Sequence, residues 1–403
     1  MGGRHAVRLA AALVALTALT VVTTLAEGLG SQAPAGASVR SAAAAAAAGV
    51  RQAALEAVSC PGAKLCIAIG RQATRHGQAP FAERWNGSSW KIQPIPAPKA
   101  SDAYLVSVSC PSARDCTAVG GEASSPTRFG VLAEQWNGHT WRVTQAGNLA
   151  GVKAGNLASV SCASKSNCVA VGMSQGTRRD LALSERWNGR SWKLLKTAKV
   201  RRSAALTGVD CTRTGWCMAV GEFERPGQTG EEAMAQKLTK GAWQQVGVPA
   251  ITGSELSIFY DTWCASRSSC LAVGESQDTS ASGTGIAEKW TGSSWTPQSL
   301  SGAANEILAG LSCYSSTRCM AVGSDGTRPV SQEWTGTNWT PEATAHVTGA
   351  ALISLDQVSC PTATRCIAVG ARTNGGLGAI GNPLAEEWNG ASWRALSTPR
   401  PRR

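Results

Sequence analysis

VSCPGAKLCIAIG, residues 58–70, followed by AERWNGSSW, residues 82–90, decides how this chain is read, because the pair recurs along its whole length. The later copies are VSCPSARDCTAVG with AEQWNGHTW, VSCASKSNCVAVG with SERWNGRSW, and VDCTRTGWCMAVG with a degenerate AQKLTKGAW. TWCASRSSCLAVG with AEKWTGSSW, LSCYSSTRCMAVG with QEWTGTNW, and VSCPTATRCIAVG with EEWNGASW complete the set of seven. The leading cysteines stand at 60, 110, 162, 211, 264, 313 and 360, a spacing of 47 to 53 residues. A period near 50 marks an array of one supersecondary unit.

Each unit reads as four short strands. In the first they cover 55–60, 66–70, 81–85 and 90–93, with Asn86-Gly87 as a hairpin signal. Asn and Gly tolerate the positive φ that tight hairpins need. If residues 86–89 form a four-residue loop, Trp85 opposes Trp90; a central Asn-Gly turn instead sets Trp90 opposite Glu83. No unit holds a helical period of any length. Four antiparallel strands per repeat, seven times over, predict an all-β, seven-bladed β-propeller over 55–396. A solenoid fits less well, since its end repeats would be atypical caps, and here the degenerate copy is the fourth.

The apolar strand ending in Gly, the Trp-turn-Trp segment and the Pro-rich stretch Gln93-Pro94-Ile95-Pro96 resemble a kelch repeat. The turn from Asn86 to Trp90 is similar to an Asp-box hairpin, one residue shorter. Kelch repeats usually carry a Gly pair after the second strand, and here only Gly120-Gly121 does. These resemblances imply a propeller and say little about activity. Kelch-like propellers include copper radical oxidases, which would need His and Tyr together, and Asp-box propellers include sialidases, which would need an arginine triad with Tyr and Glu near the axis. Outside the N-terminal segment the histidines are His76, His139 and His346, and the tyrosines Tyr104, Tyr260 and Tyr314. His139 falls on the opposite face from the other two histidines, and no Tyr lies in a connector beside the arginines. The expectation is a protein without cofactor, metal or catalytic residues; a polysaccharide hydrolase or lyase using two carboxylates stays open.

The fourteen cysteines form seven C-x5-C pairs with none left over. In an exported chain such a set reads as disulfides: Cys60–Cys66, Cys110–Cys116, Cys162–Cys168, Cys211–Cys217, Cys264–Cys270, Cys313–Cys319 and Cys360–Cys366. Zinc pairs favour shorter spacings with His nearby. Export follows from residues 1–36, where Arg4, His5 and Arg8 precede an uncharged apolar run. This is a signal-peptide pattern with cleavage expected at about 26–37; a retained membrane anchor is the alternative. Residues 37–54, rich in Ala, Gly and Ser, read as a flexible linker. Residues 397–403 read as an exposed basic tail. Formal net charge is +12. In a secreted protein this favours anionic glycans or cell-wall polymers over nucleic acid, and no membrane contact is expected unless the N-terminal segment is retained.

Twelve of the fifteen Trp form W-x4-W pairs. They read as packing between blades or, less economically, as sugar-stacking platforms. Glu83, Glu134, Glu185, Glu288 and Glu386 stand two residues before the first Trp, with Gln236 and Gln332 in the other two repeats. An inter-blade hydrogen bond is the expected role, and a repeated ligand contact the alternative. The duplicated Ala-Gly-Asn-Leu-Ala of 146–150 and 154–158 reads as an elongated loop rather than a site. The cysteine turns and Asn-Gly turns share one face of the ring. The other face carries the variable loops, with Arg75, His76, Arg128, Arg178, Arg179, Arg328 and Arg372 as candidate ligand contacts. The function expected is an extracellular, non-catalytic recognition propeller with a glycan or cell-envelope polymer as ligand; the alternative is a scaffold for a secreted protein partner.

Overall fold

A computed structural model describes residues 52–98, 102–125, 128–147, 154–225, 230–280, 282–375 and 379–401. The leader, nearly all of the Ala-rich linker and Arg402-Arg403 lie outside the described residues. Among the described residues no helix is long and apolar enough to cross a membrane.

The first repeat forms β1 (Ala53–Gly62), β2 (Leu65–Ala73), β3 (Gln78–Trp85) and β4 (Trp90–Ile92). The second forms β5 (Asp102–Ser112), β6 (Asp115–Ser125), β7 (Arg128–Trp136) and β8 (Trp141–Gly147); the third β9 (Gly155–Ser164), β10 (Asn167–Gln175), β11 (Asp180–Trp187) and β12 (Trp192–Leu194). The fourth forms β13 (Ala204–Cys211), β14 (Cys217–Glu224), β15 (Glu231–Thr239) and β16 (Ala242–Val246); the fifth β17 (Leu256–Ser266), β18 (Ser269–Gln277), β19 (Gly283–Trp290) and β20 (Trp295–Gln298). The sixth forms β21 (Ile307–Ser315), β22 (Arg318–Ser324), β23 (Pro329–Trp334) and β24 (Trp339–Glu342); the seventh β25 (Leu352–Thr362), β26 (Arg365–Thr373), β27 (Asn382–Trp388) and β28 (Trp393–Leu396). Every repeat is an antiparallel meander. Five meanders are separate four-stranded sheets, and the fourth and fifth join into one eight-stranded sheet through a single parallel pair, Glu231 with Leu256. The count of seven that the repeats imply therefore rests on dividing that sheet at this pair.

The first strands touch one another in a closed cycle, β1–β5–β9–β13–β17–β21–β25 and back to β1, so they surround the axis of a propeller. Each carries a bulge that leaves one residue unpaired: Glu56, Val106, Ala158, Thr207, Tyr260, Ala309 and Asp356. All seven line one axial cavity of about 50 Å³. The bulge explains the Gly within every second strand, four residues after its Cys. A Cβ on Gly70 would lie 2.0 Å from the Ala54 carbonyl oxygen, and the other repeats repeat the clash.

Second strands are apolar on both faces, as in Cys66, Ile67, Ala68 and Ile69, because each sheet is packed between two others. Ile67 and Ile69 pack against Leu105, Trp136 and Trp141 of the next repeat, while Leu55, Phe81 and Trp85 pack against Ile367 and Val369 of the last. Trp85 pairs directly with Trp90, their rings 5.5 Å apart, so the hairpin is the four-residue loop; Gly87 holds φ 99° and the Asn86 carboxamide accepts from the Ser88 and Ser89 amides. All seven disulfides join first to second strand as the spacing predicts.

The Ser before the first Cys has a job the sequence did not announce. Ser59 Oγ accepts from the Cys110 amide, Ser109 from Cys162, Ser161 from Cys211, and Asp210 from Cys264, each at 2.8 to 3.0 Å. Ser312 receives Cys360, and Ser359 receives Cys60, which closes the ring. Trp263 interrupts this series; there Asp261 instead accepts from the Leu311 amide at 2.9 Å. No exchanged strand is needed to join the first and last repeats. The basic tail is not free along its length: Thr398 donates to the Pro383 carbonyl and Pro401 is buried, while Arg400 is exposed.

Candidate functional site

The two faces divide as the sequence reading expects. Gly87 and Gly138 of the Asn-Gly turns lie against Lys64 and Arg114 of the cysteine turns on one face. On the other, the second-to-third-strand loops meet the connectors: the Gln78 amide donates to Asp102 at 2.9 Å and Arg179 Nη1 to the Arg201 carbonyl at 2.7 Å.

The candidate ligand residues on that face do not converge. Arg75 and His76 are exposed in the first-repeat loop, closed by a bond from the Thr74 amide to Gly77. Arg328 donates from Nε and Nη2 to the single oxygen Oδ2 of Asp325, three residues away. Arg372 is half-buried in β26, opposite Ile353 and Asn382. Arg128 begins β7, and its side chain lies outside the described residues. Only Arg178 and Arg179 share a concavity, at the rim of a cavity of about 300 Å³ around the second repeat.

This cavity is built from three repeats. Gln78 and Asp102 stand on one side, Tyr104, Glu122 and Phe129 in the middle, and Asn156, Met173 and the 175–180 loop on the other. Its origin is legible at Gly121, the second member of the lone Gly pair. The equivalent position is Arg71, Met173, Glu222, Glu275, Ser324 or Ala371 in the other repeats. A Cβ at 121 would lie 2.7 Å from the Tyr104 hydroxyl, so glycine there lets the Tyr104 ring lie across the strand. The 154–158 segment, expected to be mere loop, contributes Ala154, Gly155 and Asn156 to the wall. The loop expectation is corrected for 155–158, which form the start of β9.

A polar chain links the cavity to the axis. Glu56 Oε1 and Arg71 Nε form a buried ion pair at 2.9 Å, Arg71 Nη1 donates to Gln78 Oε1, and Gln78 in turn reaches Asp102. Burial pushes the Tyr104 hydroxyl up to about 12, with Arg71 opposing the shift, so it remains a protonated donor at neutral pH. Burial and the neighbouring Glu56 hold the Asp356 carboxyl well above its usual range. On the opposite side of the axis Tyr260 donates to Glu275 Oε1 at 2.5 Å, and Gln277 donates to the other oxygen. Burial pushes Glu275 to about 7 and raises Tyr260 well above its ordinary value. The sequence reading looked for tyrosines in connectors and missed these two, which sit on the inner strands. For Tyr260 the cue is position: with Glu56 and Asp356 it occupies the bulge, four residues before the first Cys of its repeat, whereas Tyr104 stands two residues before its repeat's bulge, paired with Gly121. Among the described residues no three His, Cys, Asp or Glu side chains come together to hold a metal ion.

The repeated Trp and Glu residues are interior. Every W-x4-W tryptophan is under a tenth exposed. Several indole N–H groups reach the preceding repeat, as Trp192 to Thr144 and Trp393 to Ser331. The repeated carboxyls and amides are likewise buried and face the preceding repeat. Ala198 N donates to Gln236, Gln145 to Glu185, and Ala345 N to Glu386. Among the described residues Glu83 and Glu134 find no donor for either oxygen. Ala198 and Ala345 lie six residues after the second Trp, and the equivalent positions in the repeats that precede Glu134 and Glu83 are Pro96 and Pro399. Proline has no N–H to give. Burial accordingly pushes Glu83 and Glu134 up to about 8, and Glu185 and Glu386 to about 7.

No protein-family model and no curated protein matches the chain. Solved structures match in fold. YCF48 bound to the D1 peptide superposes with TM-score 0.53 at 11% identity, over 84% of this chain and 92% of that one. The β-propeller domain of the trilobed protease from Pyrococcus furiosus gives 0.51 at 8% identity, over 87% and 97%. A polysaccharide lyase, an ulvan lyase bound to GlcA(1-4)Rha3S, gives 0.51 at 8%, over 86% and 96%. Identities this low establish that the chain is a β-propeller and leave its chemistry to its own residues.

Proposed function

We propose that this chain is an extracellular, non-catalytic recognition propeller whose ligand, a glycan or cell-envelope polymer, enters the cavity around the second repeat. The observation that carries the reading is the cavity itself. It is a concavity of about 300 Å³ in which Tyr104 and Phe129 stand among Gln78, Asp102, Glu122 and Asn156. Aromatic faces with amide and carboxylate groups around them suit the apolar faces and the hydroxyl rims of sugar rings. Seven disulfides in seven repeats support an oxidising compartment. The fold holds a glycan elsewhere, though as an enzyme, in the ulvan lyase bound to GlcA(1-4)Rha3S.

A second reading, a scaffold for a secreted protein, rests on a different surface. Ile92, Val143 and Leu194 are exposed at the same position of the outer strands of three consecutive repeats. Titration of the purified propeller against neutral, acidic and amino oligosaccharides separates the two. Binding lost in Phe129→Ala supports the cavity. No saccharide binding, with a protein captured from culture supernatant and released by Val143→Glu, supports the outer strands.

A further inference from the structure

We infer that the group seated deepest in this cavity is a cation, so that within the glycan reading the ligand is an amino sugar whose ammonium is held by Glu122 and Asp102 beside the rings of Tyr104 and Phe129. The inference rests on the glycan reading of the same cavity and concerns which sugar it takes.

The charges in the cavity are sorted by depth. Arg178 and Arg179 are exposed at the rim, and Arg179 is already spent in part on the Arg201 carbonyl. Asp180 is engaged within the protein. Asp102 takes one internal bond, from the Gln78 amide. Glu122 pairs by backbone with Ala103 and Gly130, and its half-buried carboxylate has no ion-pair partner among the described residues. Arg71, whose charge is felt at Tyr104, is held by Glu56 and Gln78 rather than by Glu122. The inner wall therefore offers acceptors without counter-charge, next to two aromatic rings. An ammonium satisfies both, donating to the carboxylates and lying against a ring face. An acidic sugar would instead bring like charge to Glu122. Burial raises the Glu122 pKa with nothing to oppose it, and a ligand cation supplies what is missing.

The test uses calorimetric titration of the full chain at pH 6 with three tetrasaccharides: glucosamine, N-acetylglucosamine and galacturonate. The glucosamine tetramer is expected to bind about tenfold or more tightly than its acetylated counterpart, as a charge-assisted contact implies. Glu122→Gln is expected to abolish that preference, weakening the glucosamine tetramer far more than the acetylated one, with the melting temperature unchanged. Equal affinity for the two tetramers, tighter binding of galacturonate, or a preference that survives Glu122→Gln overturns the inference and leaves the glycan reading standing. Failure of all three sugars to bind removes both.

Discussion

Raising the pH is expected to loosen this propeller, and Glu134 isolates the reason. Its carboxyl is fully buried, has no donor for either oxygen among the described residues, and is pushed from 4.5 to about 8 by burial. The native state therefore holds a proton that the unfolded chain releases near pH 4.5. Stability from this group is complete below the unfolded value and declines as pH rises, until the folded value is passed. At about 1.36 kcal/mol per unit, the loss between pH 5.5 and 8 is roughly 3 kcal/mol at this one site. Glu83, Glu185, Glu288 and Glu386 shift in the same direction, so wild-type stability should fall over the whole interval. Glu134→Gln places there the residue that Gln236 and Gln332 already supply in two repeats, and it cannot ionise. Denaturant unfolding followed by tryptophan fluorescence at pH 5.5 and 8, disulfides intact, reads the effect. The variant should lose about 3 kcal/mol less than wild type over that interval. A wild type equally stable at both values, or a variant with the same loss, refutes the argument.

Pro96→Ala should restore a donor to Glu134 and weaken the same pH dependence, read in the same unfolding series. Trp334→Ala, which empties a fully buried site, should cost roughly 3–5 kcal/mol by denaturant unfolding without changing sugar affinity. Replacing Cys162 and Cys168 together by Ala should cost about 2 kcal/mol, since only a short loop is released. Gly121→Ala should drive Tyr104 off its place and weaken oligosaccharide binding in calorimetry with a small change in melting temperature; unchanged affinity would detach Tyr104 from the site.

Sequence alone determined the array. Cysteine spacing, the Asn-Gly turn and apolar second strands are local matters, decided by residues within a few positions of one another, and they specified strands, disulfides and the two faces. It also favoured packing over display for the tryptophans, because a residue repeated in nearly every blade answers to the blade. What required the tertiary structure is everything made between repeats. The bulge puts Glu56, Tyr260 and Asp356 on one axis although roughly 100 to 200 residues separate each from the next. Gln78, Glu122 and Asn156 meet only because three successive meanders turn about that axis. The arginines of the variable loops looked alike in the sequence, yet closure of the ring brings Arg178 and Arg179 to a cavity and spreads Arg75, Arg328 and Arg372 around the rim. A one-dimensional period fixes what each repeat is; which repeats cooperate depends on the angle between sheets, and that angle is set by packing across every interface between repeats at once.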